Sequence, residues 1–378
     1  MPDPIRQEVV ATARTVVVKV GTNVLTDDAG RLNAERIADL AAQVVRVMKS
    51  GRKVALVSSG AIGAGVGQLN LGKRPANLPH LQACAAIGQS VLMRAYQKAL
   101  ADFGIHPAQI LLTAGDFDHR ARYLNARNTI LSLFEWGCLP IINENDTVSV
   151  AEVKFGDNDQ LAALVTNLLR APLLVLLTNV DGLYSADPRT DATAELLATV
   201  PAIDSQITGL AAETKSTLGV GGMQSKLRAA RLVTASGESV IMANGSVPGV
   251  LDQIFAGEPV GTLFLPHGTN IPAWKRWLGY TARPRGKLHT DSGAQKAIAV
   301  GGKSLLPIGV VRITGNFGKG DVVAVCDAAG AEYARGLINY GSDEAGRICG
   351  LRTDQIAHAL GQLPYEEMIH RDNLVILE

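Results

Sequence analysis

The sequence predicts an α/β fold: a mainly parallel sheet sandwiched by helices, followed by a small β-rich domain. Continuous apolar runs such as Thr15-Val-Val-Val-Lys-Val20 alternate with stretches of helical apolar spacing over residues 15–265. Strands covered on both faces of a parallel sheet read this way. After Phe264 the pattern breaks into proline and glycine punctuation, and from Lys287 onward into short strand-like pieces between glycine turns.

The elements follow in order. Residues 15–20 form a β-branched strand closed by Gly21, and residues 37–49 have helical spacing. Residues 53–57 form a second strand that runs into a glycine-rich turn. Residues 80–103 read as a long helix, with Gly88 as the candidate break. A helix over 125–136 leads to a short buried strand over 138–142. A helix over 159–170, a strand over 173–177, a helix over 223–236 and a strand over 239–242 complete the alternation. Residues 266–286 are read as a connection partly packed through Trp274 and Trp277. The pieces 308–313, 321–325 and 336–338 are read as strands of the second domain. The expected division is therefore 1–265, 266–286 and 287–378.

Size and composition bound the function classes. A chain of 378 residues buries a large core and favours two domains. Net charge is +1, so no global field points to nucleic acid or membrane. Cys84, Cys138, Cys326 and Cys349 are widely spaced. That suggests reduced, mostly buried thiols in a cytoplasmic protein, not a disulfide frame or zinc site. Residues 1–14 lack the apolar core of a signal peptide, and no stretch approaches a membrane span.

Polar clusters mark the candidate site. The strand 138–142 ends in Asn143-Glu-Asn-Asp146, and Gly156-Asp-Asn-Asp159 follows shortly after. Open α/β sheets put their ligands at the carboxyl ends of strands. Such a cluster suits a metal, a catalytic acid pair or an ammonium-bearing ligand, although it lacks metal-binding histidine spacing. Lys19 sits inside an apolar strand, where a lysine either snorkels to water or serves a site. Ser58-Ser-Gly-Ala-Ile-Gly-Ala-Gly-Val-Gly67 is either a backbone cradle for an anion or a tight turn with close helix packing. Gly221-Gly-Met-Gln-Ser-Lys226 opens a helix with glycines and a lysine, in the manner of a small phosphate clamp. Thr178-Asn-Val-Asp-Gly-Leu-Tyr184 is a strand-end loop.

Taken in order, these segments resemble the glutamate 5-kinases, a branch of the amino-acid kinase family. Leu124-Asn-Ala-Arg127 and Leu183-Tyr-Ser-Ala-Asp-Pro-Arg189 extend the match, and Leu306-Pro-x-Gly309 with Thr314-Gly-Asn-Phe317 resembles the C-terminal PUA domain of that branch. The resemblance implies transfer of phosphate from ATP, with Mg²⁺, to the side-chain carboxylate of L-glutamate. The product, glutamyl 5-phosphate, opens proline biosynthesis. It implies that Lys19 and Lys226 contact the transferring group while Asp159 orients them. Ser59, Gly60, Asp146 and Asn158 would hold glutamate. Lys19, Thr178, Asn179 and the run Val220, Gly221, Gly222, Met223, Gln224, Ser225 and Lys226 would hold ATP. No protein residue is assigned to a metal. Asn179 stands where the family often has Asp, and Val220 where some members have Thr. The resemblance also implies proline as a feedback inhibitor and a homo-oligomer. Residues 205–222 are read as mobile until ATP binds.

The residue types suit that chemistry. A glutamate side chain is ionised at neutral pH, so the nucleophile needs no general base. None of the seven histidines lies in these motifs. The obstacle is repulsion between two anions, about 4 kcal/mol per unit pair at ~4 Å and an effective dielectric near 20. Lysines, backbone N–H groups and a cation offset it most in the transition state. Three rival readings remain. One is a sibling kinase acting on another carboxylate or a carbamate. Another is an RNA-binding PUA protein, which nine Lys+Arg against eleven Asp+Glu in residues 287–378 disfavour. The third is a nucleotide-binding regulator without catalysis, which the intact lysine pair disfavours.

Overall fold

The computed structural model describes residues 3–27, 31–149, 158–213, 222–266, 277–361 and 365–377. The chain divides into two compact units, Met1–Thr269 and Asn270–Glu378.

The first unit is built on a sheet of eight strands: β1 (Thr15–Val20), β2 (Lys53–Ser58), β3 (Pro107–Leu112), β4 (Leu139–Glu144), β5 (Leu173–Thr178), β6 (Thr199–Val200), β7 (Ser239–Asn244) and β8 (Thr262–Phe264). Their order is β3-β4-β2-β1-β5-β7-β8-β6. Every pairing is parallel except β7 with β8, which is antiparallel. β1 lies between β2 and β5, so the strand order reverses around it, the position at which open α/β sheets form a ligand crevice. Val16, Val18, Val20, Leu56, Leu173, Val175 and Leu177 are core residues on these central strands. This burial explains why the strands read as unbroken apolar runs.

Helices cover the sheet, and their starts are set by side-chain caps. Asn33 accepts from the N–H groups of Glu35 and Arg36 at the start of helix Ala34–Lys49. Asn77 does the same for His80 at the start of Leu78–Ala101. That helix is continuous through Gly88, where a break was the sequence expectation. The glycine is there for packing. A Cβ at Gly88 would sit 1.7 Å from the Ala61 carbonyl oxygen, and one at Gly65 would sit 1.9 Å from that of Cys84. Helix Ala61–Gln68 therefore crosses Leu78–Ala101 at backbone distance. The packing reading of the glycine-rich turn holds at Gly65, while Gly60, with φ +104°, makes the turn itself.

The sequence did not suggest β3, β6 or β8. β3 is an edge strand with half-exposed residues and a proline, and β6 has only two residues. Of residues 205–222, Ser205–Glu213 is helical, and 214–221 lie outside the described residues.

The second unit carries a five-stranded sheet ordered β10-β9-β11-β12-β13: β9 (Gly286–Thr290), β10 (Val310–Gly315), β11 (Val322–Cys326), β12 (Glu332–Leu337) and β13 (Leu374–Ile376). β9 and β11 are parallel and the other pairs antiparallel. Leu288, Val310, Val323, Val325, Tyr340 and Ile369 belong to its core. Of residues 266–286, Trp277–Thr281 is a π-helical turn packed on β12 and β13. Arg335 donates to the Ala282 carbonyl at 3.0 Å. Trp274 lies outside the described residues.

Candidate active site

Three side chains from distant parts of the first unit meet at the carboxyl end of β1. Lys19 is the penultimate residue of that strand, in register with Val57 of β2 and Leu176 of β5. It is 5% exposed, so it does not snorkel to water. Its Nζ lies 2.5 Å from Oδ1 of Asp159. Lys226 lies in the first turns of helix Met223–Thr234, and its Nζ is 3.1 Å from Oδ2 of the same carboxylate. Asp159 stands in the first turn of helix Asn158–Leu169, where the helix dipole favours negative charge, and is completely buried.

One carboxylate thus spaces two ammonium groups. Burial pushes the Asp159 carboxyl up, but the charges and hydrogen bonds of Lys19 and Lys226 outweigh burial and hold it below the ordinary carboxylate value. The carboxylate stays ionised, both lysine tips are fixed, and positive charge is focused in a dry part of the fold. That is what an anionic group undergoing transfer requires.

Beside this cluster is a hydrogen-bonded set at the ends of β2 and β4. The Asn158 amide donates to Ser59 Oγ at 2.9 Å, to Asn143 Oδ1 at 2.8 Å and to the Ser58 carbonyl at 3.3 Å. Asn143 Oδ1 also accepts the Glu144 N–H at 2.9 Å. Glu144 is 9% exposed and accepts from Ser149 Oγ at 2.7 Å. Gln82 donates to the Ser149 carbonyl at 3.1 Å. Gly60 caps helix Ala61–Gln68, and Asp146 stands half-buried in the turn after β4. The structure therefore gathers Ser59, Gly60, Asn158 and Asp159 next to Lys19.

Asn143 received no role from the sequence, yet it is one of the three acceptors that fix the Asn158 amide. The signal was available: a polar residue near the end of an otherwise apolar buried strand needs a partner. Ser58 is a second such residue, fully buried and 2.9 Å from the Tyr96 hydroxyl.

On the other side of β1, Thr178 ends β5 and donates to Asn179 Oδ1 at 3.3 Å. Its carbonyl accepts the Gly245 N–H at 2.8 Å. Asn179 is exposed. Asn244 donates to Asp181 Oδ1 at 2.9 Å, and the Tyr184 hydroxyl to Oδ2 at 3.0 Å. Gly222 caps helix Met223–Thr234. Met223 is half-buried, Gln224 exposed and Ser225 buried. Val220 and Gly221 lie outside the described residues. Among the described residues no group of three or more His, Cys, Asp or Glu side chains is arranged to hold a metal, and no helix is long and apolar enough to cross a membrane.

Similarity to known proteins agrees with this geometry. The family model described as "Amino acid kinase family" matches residues 14–244, and the model described as "PUA domain" matches residues 286–360. The chain is similar to the Glutamate 5-kinase of Caldanaerobacter subterraneus subsp. tengcongensis, 47% identical over 96% of this chain and 98% of the relative. Glutamate 5-kinase of Geobacter sulfurreducens is 48% identical over 98% of this chain and all of the relative. That of Desulfotalea psychrophila is 49% identical over 99% of both. The sheet with its reversal at β1, the residues clustered at the strand ends and the span of the family match lead to one conclusion: this chain belongs to the amino acid kinase family.

Proposed function

We propose that the chain transfers the γ-phosphoryl group of ATP to the side-chain carboxylate of L-glutamate, giving L-glutamyl 5-phosphate, the first step of proline biosynthesis. The observation that carries the chemistry is the single buried carboxylate holding both Lys19 and Lys226. The acceptor is supported by the near full-length likeness to relatives named Glutamate 5-kinase.

An oxygen of the glutamate side chain attacks the γ-phosphorus, the bond to the β–γ bridging oxygen breaks, and ADP leaves with those electrons. The nucleophile is already anionic at neutral pH, so no proton moves in the step. Lys19 and Lys226 neutralise the phosphoryl oxygens as charge spreads over them, and Asp159 keeps the two tips in place. Ser59, Gly60 and Asn158 position glutamate, with Asp146 taking its α-ammonium group. Thr178, Asn179 and residues 220–226 take the nucleotide. Positioning of the two reactants contributes much of the remaining acceleration.

As for magnesium, both Asp159 oxygens are engaged by lysines. It is proposed to enter as the counter-ion of the ATP phosphates, the usual mode for this ion. Feedback by proline and assembly into a homo-oligomer belong to the same proposal. They are checked by adding proline to the assay and by measuring solution mass.

The deciding experiment is coupled ADP release with ATP and Mg²⁺ and a panel of acceptors: glutamate, aspartate, acetylglutamate and carbamate. Turnover with glutamate alone is the expected result. Preference for another acceptor would assign the chain to a sibling activity.

A further inference from the structure

Among the described residues of the first unit Arg6 is the most deeply buried cation, and nothing in the chemistry above uses it. It projects from helix Pro4–Thr12, which Asp3 caps by accepting the Ile5 N–H at 2.9 Å. The side chain is 1% exposed. Its Nη1 donates to the Val260 carbonyl at 2.6 Å. Its Nη2 donates to the carbonyls of Ala198 at 2.5 Å and Gly261 at 2.8 Å. Asp3 Oδ2 lies 3.5 Å from Nε. A guanidinium has a rigid fork of donors, and here the fork joins the two segments that lead into β6 and β8 at the sheet edge.

Those two segments hold one residue between them. The Leu183 N–H donates to Thr262 Oγ1 at 2.8 Å, next in sequence to Gly261. The Leu183 carbonyl accepts the Leu197 N–H at 2.8 Å, next in sequence to Ala198. Ala198 in turn accepts the Leu263 N–H at 2.9 Å. The fit is close. A Cβ at Gly182 would come 2.5 Å from Thr262 Oγ1, and one at Gly261 would come 2.1 Å from the Met242 carbonyl oxygen. Both backbone groups of Leu183 are therefore tied to neighbours of carbonyls that Arg6 clamps, and Leu183 belongs to the strand-end loop 178–184.

We infer that Arg6 is a positioning residue for the nucleotide: by joining the entries to β6 and β8 it fixes Thr262 and Leu197, and through them the loop that follows β5. The inference rests on the reading of that loop as part of the ATP site. Loss of the Arg6 side chain would leave the carbonyls of Ala198, Val260 and Gly261 without their shared donor.

The test measures binding of a non-hydrolysable ATP analogue with Mg²⁺ by calorimetry, using the full chain. It compares Arg6→Met, Arg6→Lys, Thr262→Val and the Arg6→Met/Thr262→Val double variant. Thermal melts and the glutamate KM are recorded alongside. Arg6→Met and Thr262→Val are each expected to weaken nucleotide binding about tenfold, with Arg6→Lys between them and the parent. The double variant should be no weaker than about twice the worse single one, because both act through Leu183. The glutamate KM should stay within about twofold. Should Arg6→Met fail to fold, Arg6→Lys and Thr262→Val still decide the matter. Unchanged nucleotide affinity with only a lower melting temperature would reduce Arg6 to a stabilising residue, as would a glutamate KM that rises by as much as nucleotide affinity falls. A parent chain that does not bind the analogue would instead overturn the reading of the loop itself.

Discussion

Asp159 stands at a point where burial and two ammonium groups act on its titration in opposite directions, and the ammonium groups prevail. Its folded value lies below its unfolded one, near 3.9. The stabilisation is therefore present above that unfolded value and is lost as pH falls through the lowered folded value. Asp159→Asn should remove this dependence and leave two buried ammonium groups without their shared counter-charge, at a cost of about 3 kcal/mol or more. In melts taken from about pH 3 to pH 7, the variant should be less stable at neutral pH and flatter on the acid side. Saturating ATP should restore part of the loss, since phosphate oxygens replace the carboxylate. Asp146→Ala should act differently, raising the glutamate KM about tenfold or more with kcat nearly unchanged, as expected for a group that binds the substrate ammonium uniformly. At this scale Lys19 was legible because lysine in a buried strand is an oddity. Its meeting with Asp159 and Lys226 was not, because no local pattern encodes a contact between a strand, a helix start and a distant second helix. The resemblance supplied that association.

The crossing of helices Ala61–Gln68 and Leu78–Ala101 depends on two glycines, and this gives an element-scale prediction. Gly65→Ala and Gly88→Ala each put a methyl group into opposing backbone, at 1.9 Å and 1.7 Å. Each should cost about 2 kcal/mol or more and should also raise the glutamate KM, because Ser59 and Gly60 lead directly into the displaced helix. Gly67→Ala is the internal control. Its Cβ would meet Arg31 at ordinary contact distance, 3.4 Å from Cγ, so it should be neutral or stabilise by about 0.5 kcal/mol. Thermal unfolding of the three variants checks the contrast. The glycine-rich run announced itself in the sequence. Which glycine turns the chain and which admits a neighbour did not, because that depends on the partner helix. Strand β3 was missed for a related reason: an edge strand with half-exposed residues carries little alternation to read. The central strands were legible because burial on both faces leaves an unbroken apolar signature.

At the scale of the molecule, each of the two units has its own hydrophobic core. The pattern changes after Phe264 and the compact units divide after Thr269, whereas β9 and the helices of the second unit did not stand out between its glycine turns. Residues 287–378 have a slight acidic excess, so a gel shift at physiological salt should show RNA binding no tighter than about 10 µM, the range of weak phosphate contact. The proposed transfer requires Lys19 and Lys226 to act together on one transferring group, and steady-state kinetics with full titrations of glutamate and ATP tests that most directly. Lys19→Met and Lys226→Met should each lower kcat about a thousandfold or more, with the glutamate KM within about threefold of the parent. Variants that keep kcat within about tenfold and lose only glutamate affinity would contradict it.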